Sequence, residues 1–180
     1  MSVDTRTVGA PLNFLLFQIG WFGSVLGAAY GVPWLGVLAV LLVLTLNLIW
    51  AKDWMKELIT ALGAAVMGFV VDSSLVASGV FSPEPYLTPH PFSPLWMVML
   101  WVNQATTLNS SLGWLRGRYL VGALFGAIGG PLAYLGGAKL GAASLPSDQS
   151  LLVLGVVWAG VFPALLAMAE FFHGLKRIKA

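Results

Sequence analysis

The sequence has no cysteine and very few charged residues, and each shortage limits what the protein can be. Charged residues make up 9% of the 180 positions and hydrophobic residues 58%, whereas a soluble domain has about 25% charged residues. A chain of this length cannot bury so much apolar surface in a soluble core, so we expect a membrane protein. Without cysteine, disulfides, thiolate catalysis and cysteine-ligated metals are excluded.

Catalytic and metal-binding motifs are also missing. With two histidines in the whole chain, there is no His-x-x-x-His pair, no phosphate-binding loop and no nucleophile elbow. We therefore expect no catalytic residues, no metal and no cofactor, and a non-catalytic protein is favoured. The formal net charge of +2 comes from residues placed between apolar runs, which argues against nucleic acid as a partner.

Long apolar segments alternate with turn signals along the whole chain. The breaks include Gly31-Val32-Pro33 and the proline-rich stretch FSPEPYLTPHPFSP. The predicted spans cover roughly residues 12–30, 34–50, 57–78, 92–112, 119–138 and 150–172. The sequence therefore predicts an all-α fold, a polytopic membrane protein whose six-helix transmembrane bundle forms one domain over residues 1–180.

The distribution of Lys and Arg predicts the orientation of the bundle. Alternation of the spans places Lys139 on one side of the membrane and the other eight of the nine Lys and Arg residues on the opposite side. These eight are Arg6, Lys52, Lys56, Arg116, Arg118, Lys176, Arg177 and Lys179. By the positive-inside rule, both termini are expected to be cytoplasmic.

Glycines recur at every fourth position on two of the predicted helices. They are Gly23, Gly27 and Gly31 on the first helix, and Gly122, Gly126 and Gly130 on the fifth. Helices in lipid associate mainly through close backbone packing and interhelical hydrogen bonds. We therefore expect these two helices to make the closest contacts in the bundle.

The fourth span contains an unusually polar stretch, VNQATTLNSS, at residues 102–111. Asn103, Thr106, Thr107 and Ser110 share one face of a helical wheel, which is expected to point inward. Residues predicted at a similar depth on other helices are Gln18, Thr45 and Asn47. This arrangement predicts a hydrogen-bonded layer across the first, second and fourth helices. Two interpretations stay open: the layer holds the helices together, or it lines a ligand pocket walled by Trp21, Trp101 and Trp158.

Asp72 is the one ionisable residue deep within a predicted span. It follows Ala64 and Gly68 at four-residue spacing, so it should face another helix, and the helical rise places Tyr134 at nearly the same height. We predict an Asp72–Tyr134 hydrogen bond, with either a structural role or a proton-linked or ligand-binding role. The candidate ligand-binding residues are Gln18, Asn47, Asp72, Trp101, Asn103, Thr107 and Tyr134.

Three motifs together carry a family resemblance. They are NFLLFQIGWFGSVLGAAYGVPWLG, VDSSLVASGVF and PLWMVMLWVNQATTLNSSLGWL. Over most of its length the chain resembles a family of small bacterial inner-membrane proteins, a domain of unknown function whose genes often lie near lipid-modifying enzymes. The resemblance implies a multi-pass protein of the bacterial inner (cytoplasmic) membrane in a lipid context, and it transfers no catalytic residues.

Three functions remain open from the sequence. The first is a non-catalytic membrane protein that binds a lipid or small amphiphile, or supports a lipid-modifying partner. The second is the substrate-binding subunit of a transporter like those of the energy-coupling-factor type, by analogy of size and topology. The third is a membrane enzyme that uses Asp72, or Glu84 with His90. Membrane lipids are the expected partners, and a membrane-protein partner or a homo-oligomer is left open.

Overall fold

The computed structural model describes residues 9–85 and 89–174, and its architecture is a bundle of six α-helices. The helices are α1 (Ala10–Ala29), α2 (Trp34–Trp50), α3 (Trp54–Ala77), α4 (Leu95–Leu108), α5 (Tyr119–Lys139) and α6 (Ser150–Gly174). A 3-10 helix, Gly113–Leu115, joins α4 to α5. Two short strands, β1 (Ser82–Pro83) and β2 (Ala143–Ser144), pair antiparallel. The predicted all-α bundle is confirmed.

Four of these helices, α1, α3, α5 and α6, are long and apolar enough to cross a membrane, and α2 is a shorter apolar helix. Large apolar side chains cover the outer surface of the bundle; Leu120, for example, is 85% exposed. A soluble protein rarely exposes so much contiguous apolar surface. The chain is therefore a membrane protein.

The two ends of the bundle differ, and we name them by the chain termini. Gly9 and His173, at the start of α1 and the end of α6, border one crevice, so this is the terminal end of the bundle. The opposite end carries the β1–β2 pair. Four residues of the orientation prediction, Arg6, Lys176, Arg177 and Lys179, lie outside the described residues.

The polar helix α4 lies at the centre and is shorter than the predicted span. It contacts α1, α2, α3 and α6, and its 14 residues reach about 21 Å, less than the roughly 30 Å of the hydrocarbon core. The hydroxyls of Thr106 and Thr107 each donate to a carbonyl of the preceding turn, at 2.7 and 2.6 Å. α4 ends at Leu108, and turns follow before the 3-10 helix.

The two glycine-rich helices belong to the two most extensive helix pairs among the described residues, in agreement with their predicted role in packing. α5 packs on α6 and α1 packs on α2. A Cβ built on Gly126 would overlap the carbonyl oxygen of Trp158, and one on Gly27 would lie 3.0 Å from the carbonyl oxygen of Val32. Gly31, the third glycine of the predicted repeat on the first helix, does not take part in this packing. It follows the end of α1, and its φ of +73° forms the turn into α2.

Candidate functional site

The main candidate site is a cavity of about 380 Å³ between α1 and α5, which we call the α1–α5 groove. Phe14, Phe17 and Trp21 of α1 line one side, and the glycine face of α5 lines the other. Among its lining residues, Phe14 is 50% exposed, Phe125 43% and Leu132 59%. These exposed side chains belong to the apolar outer surface of the bundle, so the groove opens on that surface.

The α5 side of the groove is formed largely by glycine, which leaves space for another molecule. Its lining glycines are Gly126, Gly129, Gly130 and Gly137. A Cβ added at Gly137 would have no atom within 4 Å, and one at Gly129 would meet only the Phe125 ring, at 4.0 Å. These two positions are about 12 Å apart along the helix axis. The groove therefore offers an elongated free volume along α5.

Neutral polar side chains line the groove towards the terminal end. Gln18 of α1 lies there with Gln104 and Thr107 of α4 and with Ser111, just beyond α4. The Gln104 amide donates to the Thr107 hydroxyl at 3.2 Å, and the Ser111 hydroxyl donates to Oδ1 of Asn13 at 2.6 Å. The Gln18 amide makes no hydrogen bond to another described residue. It is half-buried and so is accessible to a bound molecule.

A buried hydrogen-bonded cluster forms part of the groove wall. Asp72 is completely buried, and its carboxyl accepts hydrogen bonds from the indole N–H of Trp101, at 2.8 Å, and from the Tyr134 hydroxyl. Trp101 also stacks on Trp158, with ring centroids 4.9 Å apart. The predicted Asp72–Tyr134 bond is confirmed, whereas the bond to Trp101 was not predicted. Both carboxyl oxygens have a protein partner, and the cluster joins α3, α4 and α5.

The predicted polar layer across α1, α2 and α4 is present. The side-chain amides of Asn13 and Asn47 both donate to the carbonyl oxygen of Thr106, at 3.0 and 3.3 Å. The Asn103 amide donates to the carbonyl oxygen of Phe17 at 2.8 Å. Three asparagines from three helices therefore meet backbone carbonyls of neighbouring helices, as expected of polar groups that hold membrane helices together.

The members of this layer differ in part from the prediction. Asn13, only 1% exposed, was not predicted as a member of the layer. Its position as an amide within the apolar first span could have indicated that it bonds to another helix. Thr45 instead donates to the Leu41 carbonyl of its own helix at 2.7 Å. Gln18 and Thr107 line the groove.

The structure divides the seven predicted ligand-binding residues among three places. Five of them line the α1–α5 groove: Gln18, Asp72, Trp101, Thr107 and Tyr134. Asn103 is fully buried between α1 and α4 and lines neither cavity, while Asn47 lines a second crevice. The sequence did not predict that glycines of α5 line the groove, or that Gln104 and Ser111 do.

The second crevice, of about 450 Å³, lies at the terminal end and collects charged side chains. Its charged or titratable lining residues are Lys52, Asp53, Lys56, Glu57, Arg116 and His173. Glu57 accepts from the Asn109 amide, with both oxygens at 3.2 Å, and lies 3.4 Å from Nε2 of His173. None of these charged groups lines the α1–α5 groove.

The acid–base pair considered for catalysis lies in neither of these two cavities. Glu84 and His90 are both exposed, and neither lines the groove or the second crevice. Among the described residues, no group of three or more His, Asp or Glu side chains could hold a metal ion. The groove is therefore the site that the geometry favours.

Comparison with known proteins places most of the chain in one family. A family model described as a protein of unknown function (DUF2878) matches residues 10–164. No curated protein and no solved structure matches the chain.

Proposed function

Because the chain belongs to the DUF2878 family of proteins of unknown function, we propose a function from the groove itself: the protein binds a lipid or another amphiphile that enters sideways from the bilayer. One observation supports this most strongly. The groove joins an apolar, aromatic and glycine-lined section to a terminal section with four neutral polar side chains. This is the distribution of surface that a molecule with a chain and a polar head requires.

Binding without chemical conversion suits the lining residues. Among the described lining residues, Asp72 is the only carboxylic acid, and no histidine, lysine or arginine accompanies it. A general acid or base must be able to reach a substrate proton. The Asp72 oxygens instead accept hydrogen bonds from Trp101 and Tyr134, so the carboxyl has a structural role in the wall of the groove.

The proposal extends to the membrane in which the protein works. Lys52, Lys56 and Arg116 border the crevice at the terminal end, and Arg118 directly precedes α5 there, whereas Lys139 ends α5 at the other end of the bundle. The positive-inside rule then favours a cytoplasmic terminal end, in the inner membrane of a bacterium. With that orientation, the polar section of the groove lies in the cytoplasmic half of the bilayer.

Filling the groove tests the proposal. Gly129→Leu and Gly137→Leu each place a side chain in the free volume, because an added Cβ meets nothing closer than 4.0 Å at either position. Gly160→Leu on α6 is the matched control: it is exposed, has open space around its Cβ position and does not line the groove.

Native mass spectrometry of protein purified in mild detergent, with a thermal melt of each variant, gives the readout. We expect a retained lipid or amphiphile in the wild type and in Gly160→Leu, and its loss in both groove variants at unchanged melting temperature. Equal retention by all four proteins, or no retained molecule in any of them, would contradict the proposal.

A further inference from the structure

We infer that the molecule bound in the α1–α5 groove has an uncharged polar head, such as a hydroxyl, carbonyl, ester or amide, and not a phosphate or carboxylate. This inference rests on the proposed function and specifies its ligand. It places the ligand among neutral lipids and related amphiphiles and excludes the charged phospholipids that form most of a bilayer.

The charge of the groove lining is the first argument. The polar side chains of this section are two amides and two hydroxyls, from Gln18, Gln104, Thr107 and Ser111. Of the residues that the structure describes, no lysine, arginine or histidine lines the groove. An anion moved into a low-dielectric site without a charged partner loses several kcal/mol of solvation, or more. A phosphate or carboxylate in this section would have only neutral donors.

The placement of the cations is the second argument. Lys52, Lys56 and Arg116 all lie at the terminal end of the bundle, the same end as the polar section of the groove, but they line the separate second crevice. The hydrogen bonds of Asn13 and Asn103 hold α1 against α4, so the space between these two helices is closed. The described cations at this end therefore line a different cavity from the polar section of the groove.

The hydrogen-bonding capacity of the groove is the third argument. An amide both donates and accepts, and the Gln18 amide is bonded to no other described residue. Gln104 uses an N–H for Thr107, so its carbonyl oxygen remains available as an acceptor. Together the two glutamines match a group that both donates and accepts, as a hydroxyl does, or a carbonyl that accepts from Gln18.

The test compares two lipids with the same acyl chains, diacylglycerol and phosphatidic acid, in nanodiscs of otherwise identical composition. Bound lipid is released from the washed protein and counted by mass spectrometry. We expect the wild type to enrich diacylglycerol over phosphatidic acid by about tenfold relative to the nanodisc. Gln18→Leu and Gln104→Leu should each remove most of this preference, and a thermal melt of each variant shows that the bundle is intact.

The control variant Lys52→Gln changes the second crevice and leaves the groove unchanged. We expect it to keep the preference for diacylglycerol. Equal or better retention of phosphatidic acid by the wild type would overturn the inference. Dependence of the retained lipid on Lys52 would overturn it too, because the head would then reach the charged crevice.

Failure of the proposed function has a different result. If Gly129→Leu retains as much of either lipid as the wild type, no lipid occupies the groove and both proposals fall. If Gly129→Leu loses the lipid while the wild type prefers phosphatidic acid, the groove is a lipid site and only the neutral head is wrong.

Discussion

The indole N–H of Trp101 lies 2.8 Å from Oδ2 of Asp72, and this bond fastens the central helix α4 to α3. The Tyr134 hydroxyl bonds to the other carboxyl oxygen, so α5 joins the same cluster. Interhelical hydrogen bonds are a main source of helix association in lipid, where the hydrophobic effect between helices is absent. One acidic side chain therefore connects three helices beside the groove.

Replacement of Asp72 should separate hydrogen bonding from charge. Asp72→Leu leaves the Trp101 and Tyr134 donors unpaired, at about 1–3 kcal/mol each, and should clearly lower the melting temperature. Asp72→Asn keeps an acceptor for the Trp101 N–H and offers an N–H to the Tyr134 oxygen, so it should melt close to the wild type. Thermal unfolding in detergent measures both. A Leu variant as stable as the wild type would show that the cluster contributes nothing to stability.

A single methyl group should disturb the α5–α6 contact. A Cβ on Gly126 would overlap the backbone carbonyl of Trp158, which cannot rotate away as a side chain can. We expect Gly126→Ala to reduce the free energy of unfolding by about 1–3 kcal/mol. Gly160→Ala is the control, because nothing lies within 4 Å of its added Cβ. Similar melting temperatures for the two variants would mean that α5 and α6 are not packed this closely.

The orientation of the bundle can be measured directly. We expect a reporter active in the cytoplasm to be active when fused after residue 180 and inactive when inserted in the loop at residues 79–91. The physical reason is the concentration of Lys and Arg at the terminal end. A reporter active only in the periplasm should give the opposite pattern. Cytoplasmic activity at the 79–91 loop would reverse the orientation and move the polar section of the groove to the other leaflet.

Features governed by regular helix geometry were predictable from the sequence. The similar heights of Asp72 and Tyr134 follow from the rise per residue, and the glycine face of α5 that carries Gly126 follows from four-residue spacing, because height and face are set by position along each helix. The rotation of one helix against another was not predictable. Two residues on the same polar face of α4 accordingly have different surroundings. Asn103 bonds to the Phe17 carbonyl, while Thr107 lines the groove.

The end of α4 shows a second limit of the sequence. Apolar length predicted a helix to residue 112, but the helix stops at Leu108 and turns follow at residues 109–112. Asn109, Ser110 and Ser111 stand at this point, and Asn and Ser side chains favour turns because they compete for backbone hydrogen bonds. The groove itself was also beyond prediction. It exists because α1 packs on α2 and α4 while α5 packs on α6, and that choice of neighbours depends on side-chain fit across the whole bundle.

Asn103 and Gln18 should have opposite roles, although the sequence suggested the same one for both. Asn103 is fully buried, donates to the Phe17 carbonyl and lies against Gly20, where a Cβ would overlap its side chain. Asn103→Ala removes that bond and leaves a space, so it should cost about 1–2 kcal/mol of stability.

Gln18 lines the groove and bonds to no described residue. Gln18→Leu therefore removes no hydrogen bond to a described residue, and it replaces an amide in the groove by an apolar side chain. It should keep or raise the melting temperature and lower the amount of retained amphiphile, whereas Asn103→Ala should lower the melting temperature and keep the amphiphile at temperatures where the bundle is folded. Thermal melts beside native mass spectra of both variants measure the two effects. Loss of the amphiphile in Asn103→Ala with an unchanged melt would mean that this amide contacts the ligand, and the roles of the two residues would be reversed.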